Sequence, residues 1–199
     1  TKVFAGIVIA PIGGIIFGLL ITTLIITIFA TKRPGPVNKT FGRLQIISSA
    51  WFALTHGAND GQKTMGIIVL ILFSAGLIPD LEMPLWVIFA AATAMGLGTF
   101  FGGYKVIKTL GVKITKLKPY QGFAAETSGG LMLAVFAVFG IPASTTHAIT
   151  GTIMGSGAAR RKRAVRWKVS RQIVFSWIIT IPGAAGLGIG FTYLINLFV

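Results

Sequence analysis

The chain has 199 residues, of which 54% are hydrophobic and only 11% are charged, and its mean hydropathy is +0.83. Soluble domains carry about 25% charged residues, so this composition excludes an ordinary water-soluble enzyme and indicates an integral membrane protein or a piece of one. The charge is one-sided, with 18 Lys and Arg against 4 Asp and Glu, and the absence of cysteine excludes disulfides, thiolate metal sites and cysteine nucleophiles.

Apolar segments follow one another along the chain, and a membrane-spanning helix needs about 20 such residues. The first segment lacks a charged leader and a cleavage site, so we expect a spanning helix rather than a signal peptide. Polar residues interrupt the second, and the fourth consists of two arms of about 17 residues, which favours a re-entrant helical hairpin over two full spans. The predicted segments are about 3–31, 44–78, 85–103, the hairpin 119–159, and 172–199.

Basic residues concentrate in three of the intervening segments. Residues 32–43, 105–118 and 160–171 carry four, five and seven Lys and Arg and no acid, whereas the loop around Asp80 and Glu82 carries two acids and no base. The positive-inside rule therefore places the three basic segments in the cytoplasm and the acidic loop outside. The net charge reports membrane topology, so we expect the lipid bilayer rather than nucleic acid as the partner of these segments.

Charged side chains inside membrane segments cost about 2.5–3.5 kcal/mol each, which makes them candidate functional residues. Asp60, Lys63 and Glu126 are such residues, and His56 and His147 are their polar companions. An alternative interpretation of Asp60 and Lys63 is an internal ion pair that only fixes helix contacts, and a lone histidine is often a packing residue.

Two polar motifs lie at similar depth. Asn59-Asp60 and Ser144-Thr145-Thr146 are both about 15 residues, roughly 22 Å at the helical rise, from the basic ends of their segments. We therefore expect the two motifs to meet near the middle of the membrane.

Helix breakers accompany both motifs, because Gly57 and Gly61 bracket the first and Pro142 precedes the second. We expect interrupted helices at both places, with Pro142 in the first turn of a half-helix whose N–H groups and hydroxyls suit an anion such as phosphate or sulfate. Asn59 and Asp60 offer oxygen ligands for a cation, or Asp60 a proton site. Alternatively, Ser144 and its neighbours only bond to backbone carbonyls.

We expect the other glycines to form helix-packing surfaces, namely Gly6, Gly13, Gly14, Gly18 and those from Gly183 to Gly190.

With these motifs in view, the chain resembles the PiT family of inorganic phosphate transporters. The resemblance rests on His-Gly-Ala-Asn-Asp-Gly-Gln-Lys at 56–63, Gly-Gly-Tyr-Lys-Val-Ile-Lys-Thr-Leu-Gly at 102–111, Phe-Ala-Ala-Glu-Thr-Ser at 123–128 and Gly-Ile-Pro-Ala-Ser-Thr-Thr-His at 140–147. Many members continue the first motif with Val-Ala-Asn, whereas Gly-Gln-Lys here is similar to the bacterial low-affinity permeases and leans towards proton coupling.

The resemblance implies a fold of two inverted repeats with phosphate near the midplane between them. This chain holds one copy of each motif, so it resembles the C-terminal repeat plus a preceding helix, without the N-terminal repeat. Carried over by position, the resemblance implies phosphate contacts from Gln62, Ser144, Thr145 and Thr146. It implies a coupling-ion role for Asn59 and Asp60, and Glu126 matches a family position that makes it a further coupling candidate. We expect auxiliary roles for Lys63, His56 and His147 as companions of these residues.

We therefore predict an all-α membrane protein of the bacterial inner membrane that acts as a proton-coupled phosphate symporter, with phosphate carried free or as a divalent-metal complex. Sodium coupling, a passive anion channel and a structural membrane subunit are the alternatives. No nucleophile–base pair or metal-ligand cluster stands out, so we expect neither enzymatic activity nor a resident cofactor. A homo-oligomer would be one way to supply the second repeat.

Overall fold

The computed structural model describes residues 2–197, and within that range it is helical without strands, which confirms the predicted all-α class. A six-residue π-helical turn, Thr109–Ile114, and a short 3-10 turn, Lys162–Ala164, supplement the α-helices. The helices are α1 Lys2–Ile28, α2 Pro34–Ser74, α3 Leu85–Lys108, α4 Pro119–Val138, α5 Thr145–Arg160 and α6 Trp167–Asn196.

Three helices are long and apolar enough to cross a membrane: Gly6–Ile28, Leu85–Tyr104 and Trp167–Asn196. They coincide with the first, third and last predicted segments, although the final two residues of 172–199 lie outside the described residues. The chain divides into two compact units, residues 1–165 and 166–199. The first contains α1 to α5 and all the candidate site residues, and the second consists essentially of α6.

Helix α2 corrects two expectations. It runs without interruption for 41 residues, so the break predicted around Gly57 and Gly61 is wrong, and it begins at Pro34 rather than near residue 44. Proline is well accommodated at the start of a helix, which is why Pro34 and Pro36 open α2. Each internal glycine costs only about 1 kcal/mol relative to alanine, and packing along α4 offsets that cost.

The predicted hairpin is present as α4 and α5, and here the chain does break. Gly140 adopts the left-handed conformation with φ of 59°, which favours glycine, and turns the chain after α4. Ser144 is the N-cap of α5, so Pro142 lies before the helix and not in its first turn as expected. The residues between the two helices are 139–144, within the predicted hairpin 119–159.

Glycines bring α1 and α5 into backbone contact. A Cβ on Gly14 would lie 2.6 Å from the carbonyl oxygen of Ala148, and one on Gly18 would collide with the carbonyl of Thr152. On the opposite helix, a Cβ on Gly151 or Gly155 would collide with backbone carbonyls of α1. Each helix thus presents a Gly-x-x-x-Gly pair to the other, and the predicted packing role of Gly14 and Gly18 is confirmed.

Aromatic side chains join the ends of α1, α2 and α4 on the side where the basic segments lie. The ring of Phe41 makes edge contacts with Phe29 and Phe123 at centroid distances of 5.4 and 5.3 Å. Ile25 and Ala124 are buried in the same cluster. The segment 105–118, predicted as a linker, is mostly helical, because α3 continues to Lys108 and the π-helical turn follows it.

Candidate functional site

Asp60 is the centre of a polar cluster between α2 and the tip of the hairpin. Its Oδ2 atom accepts a hydrogen bond of 2.8 Å from the Thr145 hydroxyl and lies 3.2 Å from Nε2 of His56. Its Oδ1 atom lies 3.0 Å from Nζ of Lys63. His56, Asp60 and Lys63 share one face of α2 through their i, i+4 and i, i+3 spacing. The contact between the two polar motifs, expected from their equal depth, is therefore present.

Lys63 links this carboxylate to the hairpin. Its ammonium donates a 2.6 Å hydrogen bond to the carbonyl oxygen of Ala143, one residue before the N-cap of α5. That carbonyl belongs to the non-helical tip. One cation thus satisfies both a carboxylate oxygen on a continuous helix and a backbone carbonyl at a helix break.

The first turn of α5 faces this cluster. Ser144 caps the helix, and its Oγ accepts a hydrogen bond of 3.4 Å from the backbone N–H of His147. The first N–H groups of any helix have no intrahelical acceptor, so those of Thr145 and Thr146 carry the positive end of the α5 dipole towards the tip. Thr145 is buried, Ser144 is half-buried and Thr146 is exposed.

The cluster is open on one side. The side chains of Asp60, Lys63 and His56 are 33%, 39% and 32% exposed in the described chain. Gln62 and Thr146 are also exposed. The site therefore has one wall built from α2 and α5, with polar groups available to a ligand on its open face.

Two predicted residues point elsewhere. Asn59 is buried, and its Nδ2 donates to the carbonyls of Thr55 at 2.9 Å and of Leu133 on α4 at 3.4 Å. His147 is half-buried beside the backbone of Ile7 in α1. Both side chains thus join helices around the cluster rather than contacting Asp60.

Glu126 occupies a second polar cluster between α4 and α2. Its Oε2 accepts a 2.6 Å hydrogen bond from the Ser48 hydroxyl, and its Oε1 accepts one of 3.3 Å from Nε2 of Gln45. Ser48 precedes Asp60 by twelve residues on the same helix, about 18 Å at the helical rise. The structure therefore separates Glu126 from the Asp60 cluster.

Sequence reasoning missed Gln45 and Ser48, although their i, i+3 spacing on an otherwise apolar stretch of α2 was a usable signal. It also missed the carbonyl of Ala143, for which a sequence carries no signal.

A grouping of three or more His, Cys, Asp or Glu side chains able to hold a metal ion is absent within residues 2–197.

The long apolar helices define a helical membrane protein. Its polar site, an ion pair on α2 in contact with the break between two helices, is of the kind that solute transporters use. The sequence matches the phosphate transporter family, PHO4, over residues 29–188. The chain belongs to that family, and the resemblance drawn from its motifs is confirmed.

Relatives with curated descriptions agree. The chain is 46% identical over 185 residues to a probable low-affinity inorganic phosphate transporter of Rhizobium meliloti, covering 92% of this chain and 55% of the relative. It is 38% identical to a protein of the same description from Bacillus subtilis, covering 98% of this chain and 59% of the relative. The chain thus spans a little over half the length of these relatives.

A solved structure described as the sodium-dependent phosphate transporter is similar to 91% of this chain, with a TM-score of 0.64 and 26% sequence identity. The match covers 54% of that structure's chain. The fold similarity and the family match therefore agree with each other.

Proposed function

We propose that this chain forms one wall of the substrate site of a secondary phosphate transporter, a symporter that crosses the bacterial inner membrane several times. The observation that carries the proposal is the 2.8 Å contact between Thr145 and Asp60, which joins the start of α5 to the charged cluster on α2. Membership of the phosphate transporter family supplies the substrate class.

The donors that we assign to phosphate lie on α2 and at the start of α5. Ser144, Thr145, Thr146 and Gln62 supply hydroxyl and amide groups, and the first turn of α5 supplies N–H groups with a favourable dipole. Phosphate oxygens accept such hydrogen bonds, so these side chains match the anion chemically.

Charge balance favours co-transport of a cation. Asp60 and Lys63 cancel, so a phosphate monoanion would leave the site with a net negative charge. The carboxylate of Asp60 opposes binding of the anion, and Lys63, which already neutralises Asp60, leaves no excess positive charge at the cluster to offset the anion. A proton or cation taken up on Asp60, with support from Asn59, would remove that opposition. Glu126 would be a second position for the coupling ion, in its cluster with Ser48 and Gln45.

The position of Lys63 favours a proton over sodium as the coupling ion. Carboxylate oxygens and carbonyls at interrupted helices are the ligands with which transporters hold sodium. In this chain the Lys63 ammonium already lies 3.0 Å from Asp60 Oδ1 and 2.6 Å from the Ala143 carbonyl. A tethered ammonium at that position would exclude a sodium ion from the same two oxygens.

Sodium coupling is the second candidate, since the structurally similar transporter is described as sodium-dependent. Phosphate could enter free or as a neutral divalent-metal complex, which would also lessen repulsion by Asp60. A closed site needs an opposite wall with a second pair of motifs, from another repeat or from a second copy of this chain.

The test is phosphate uptake into vesicles containing the natural gene product that carries this chain, driven by either a pH gradient or a sodium gradient. We expect the pH gradient alone to drive uptake. Lys63→Gln should lower proton-driven uptake about tenfold and create a dependence on sodium, because it frees the two oxygens.

Lys39→Gln is the matched control, because it removes the same charge from an exposed position on the same helix. It should behave as the unmodified protein does. Sodium-stimulated uptake without any substitution would contradict proton coupling. Uptake that never exceeds the electrochemical equilibrium of phosphate would contradict symport and favour a channel.

A further inference from the structure

A cavity of about 210 Å³ lies at the end of the first unit where the basic segments come together. Cationic side chains reach it from three separate parts of the sequence: Lys32 after α1, Lys118 before α4 and Arg160 at the end of α5. A cavity of this volume has room for several water molecules or a small anionic group.

No acid offsets these cations. The four acidic residues of the chain are Asp60, Asp80, Glu82 and Glu126, and the described residues that line the cavity include none of them. Asp60 and Glu126 are engaged in the clusters described above. The cavity therefore combines three positive side chains with no carboxylate.

Helix dipoles do not cancel this charge. The N-terminal ends of α2 and α4 and the C-terminal ends of α1 and α5 meet around the cavity, so their partial charges of opposite sign largely balance. The sign of the cavity is then set by Lys32, Lys118 and Arg160.

The walls give further information about the ligand. Asn38 contributes a polar side chain to the lining. Ile26, Phe29 and Val37 form a half-buried apolar wall beside the cations. Beneath it, the aromatic contacts of Phe41 hold α1, α2 and α4 together.

We propose that this cavity binds a phosphate-bearing anion, and that the anion is the headgroup of an anionic phospholipid of the cytoplasmic leaflet. Basic cavities between membrane helices on this side suit such headgroups, and the apolar wall would contact the glycerol and the first part of the acyl chains. Free inorganic phosphate shares the headgroup's chemistry but would leave the apolar wall unused. This site is separate from the Asp60 cluster and does not depend on the proposed transport activity.

The test is native mass spectrometry of the detergent-purified protein after incubation with phosphatidylglycerol or, in parallel, with phosphatidylcholine of the same acyl chains. We expect protein ions to retain one phosphatidylglycerol at least fivefold more often than one phosphatidylcholine. Lys32→Gln combined with Arg160→Gln should abolish that preference. Should the pair fail to fold, Lys32→Gln alone should reduce it.

The matched control is Arg161→Gln combined with Arg163→Gln, which removes two charges from the adjacent exposed segment without touching the cavity lining. It should retain phosphatidylglycerol normally. A third arm measures binding of inorganic phosphate to the same variants by ³¹P nuclear magnetic resonance.

The outcomes separate the sources of the anion. Retention of phosphatidylglycerol that the cavity variant alone loses supports the lipid site. Phosphate binding that the cavity variant alone loses, without a lipid preference, supports the anion site and overturns its assignment to lipid. Equal retention in cavity and control variants, with no phosphate binding lost, overturns the proposal. A failure of phosphate transport would leave the lipid measurement unaffected.

Discussion

Asp60 and Glu126, the two acids of the chain outside the Asp80–Glu82 loop, are held in different ways. Asp60 is bonded by a cation and by a hydroxyl at a helix break, and a third of its side chain is exposed. Glu126 is bonded by the neutral side chains of Ser48 and Gln45 between two continuous helices. The bonds of Asp60 therefore reach the hairpin tip, whereas those of Glu126 lie within a packed helix pair.

This difference indicates separate tasks for the two acids. Asp60 is bonded by Thr145, the first residue of α5, and by Lys63, which also contacts the non-helical tip, so its bonds lie beside the interruption between α4 and α5 rather than between two continuous helices. The Glu126 bonds join α2 and α4 at a point where Gly122 accommodates the side chain of Gln45. Because that interface is tightly packed, Glu126 can respond to a proton or ion more readily than to a substrate that needs space.

The largest effect on phosphate uptake should appear when each of the two acids is replaced, in separate variants, by its neutral amide. Asp60→Asn removes the charge that Lys63 balances, and we expect at least a hundredfold loss of phosphate uptake, about 2.7 kcal/mol or more of lost transition-state stabilisation. Glu126→Gln keeps the shape and can still accept from Ser48, so its loss should be about tenfold or less. The measurement is initial uptake of radiolabelled phosphate into vesicles, normalised to the amount of inserted protein.

Normal phosphate binding by a well-expressed Asp60→Asn protein would instead favour a purely structural role for the cluster. Equal losses from the two substitutions would remove the distinction between the carboxylates. Ser144→Ala provides a second check on a structural role, since it removes a hydroxyl of the tip without altering any charge.

A smaller effect should follow from the hydroxyl that joins the hairpin tip to Asp60. Thr145→Val keeps the shape but removes the 2.8 Å bond, and hydrogen bonds to charged groups contribute about 1.5–3 kcal/mol. The partial exposure of Asp60 places the effect at the lower end, so we expect about a tenfold reduction in uptake. Thr145→Ser retains the hydroxyl and should recover most of the activity. If Thr145→Ser is as impaired as Thr145→Val, the methyl group rather than the hydrogen bond matters.

Much of the Asp60 cluster was predictable because membrane segments make polar residues conspicuous. Asp60, Lys63 and Thr145 stand out against apolar neighbours, and the count from the basic segments placed them at one depth. The continuity of α2 was not predictable, because glycine only weakens a helix and the compensating contacts with α4 are remote in sequence.

The partners of Glu126 and the basic cavity were also out of reach, since both depend on which helices lie side by side. Gln45 and Ser48 lie about 80 residues from Glu126 in sequence. In the sequence, basic residues between helices indicate only membrane topology. The structure shows that the helix ends meet and that one cavity is lined by Lys32, Lys118 and Arg160. The pattern of charges along the sequence predicts on which side of the membrane a loop lies, but it does not predict which helices are neighbours.

The smallest expected effect concerns Ser48, which donates to Glu126 at 2.6 Å and also to the carbonyl of Gln45. Ser49 is a close control, because its hydroxyl makes the same kind of backbone bond, to Ile46, without a carboxylate partner. Ser48→Ala should lower the thermal midpoint in detergent by about 2–4 °C, corresponding to about 1 kcal/mol, and Ser49→Ala should lower it by less than half as much. Uptake should change less than in Thr145→Val, since Glu126 keeps its bond from Gln45. A larger loss of uptake in Ser48→Ala than in Thr145→Val would make the Glu126 cluster the more sensitive of the two and reverse the comparison between the carboxylates.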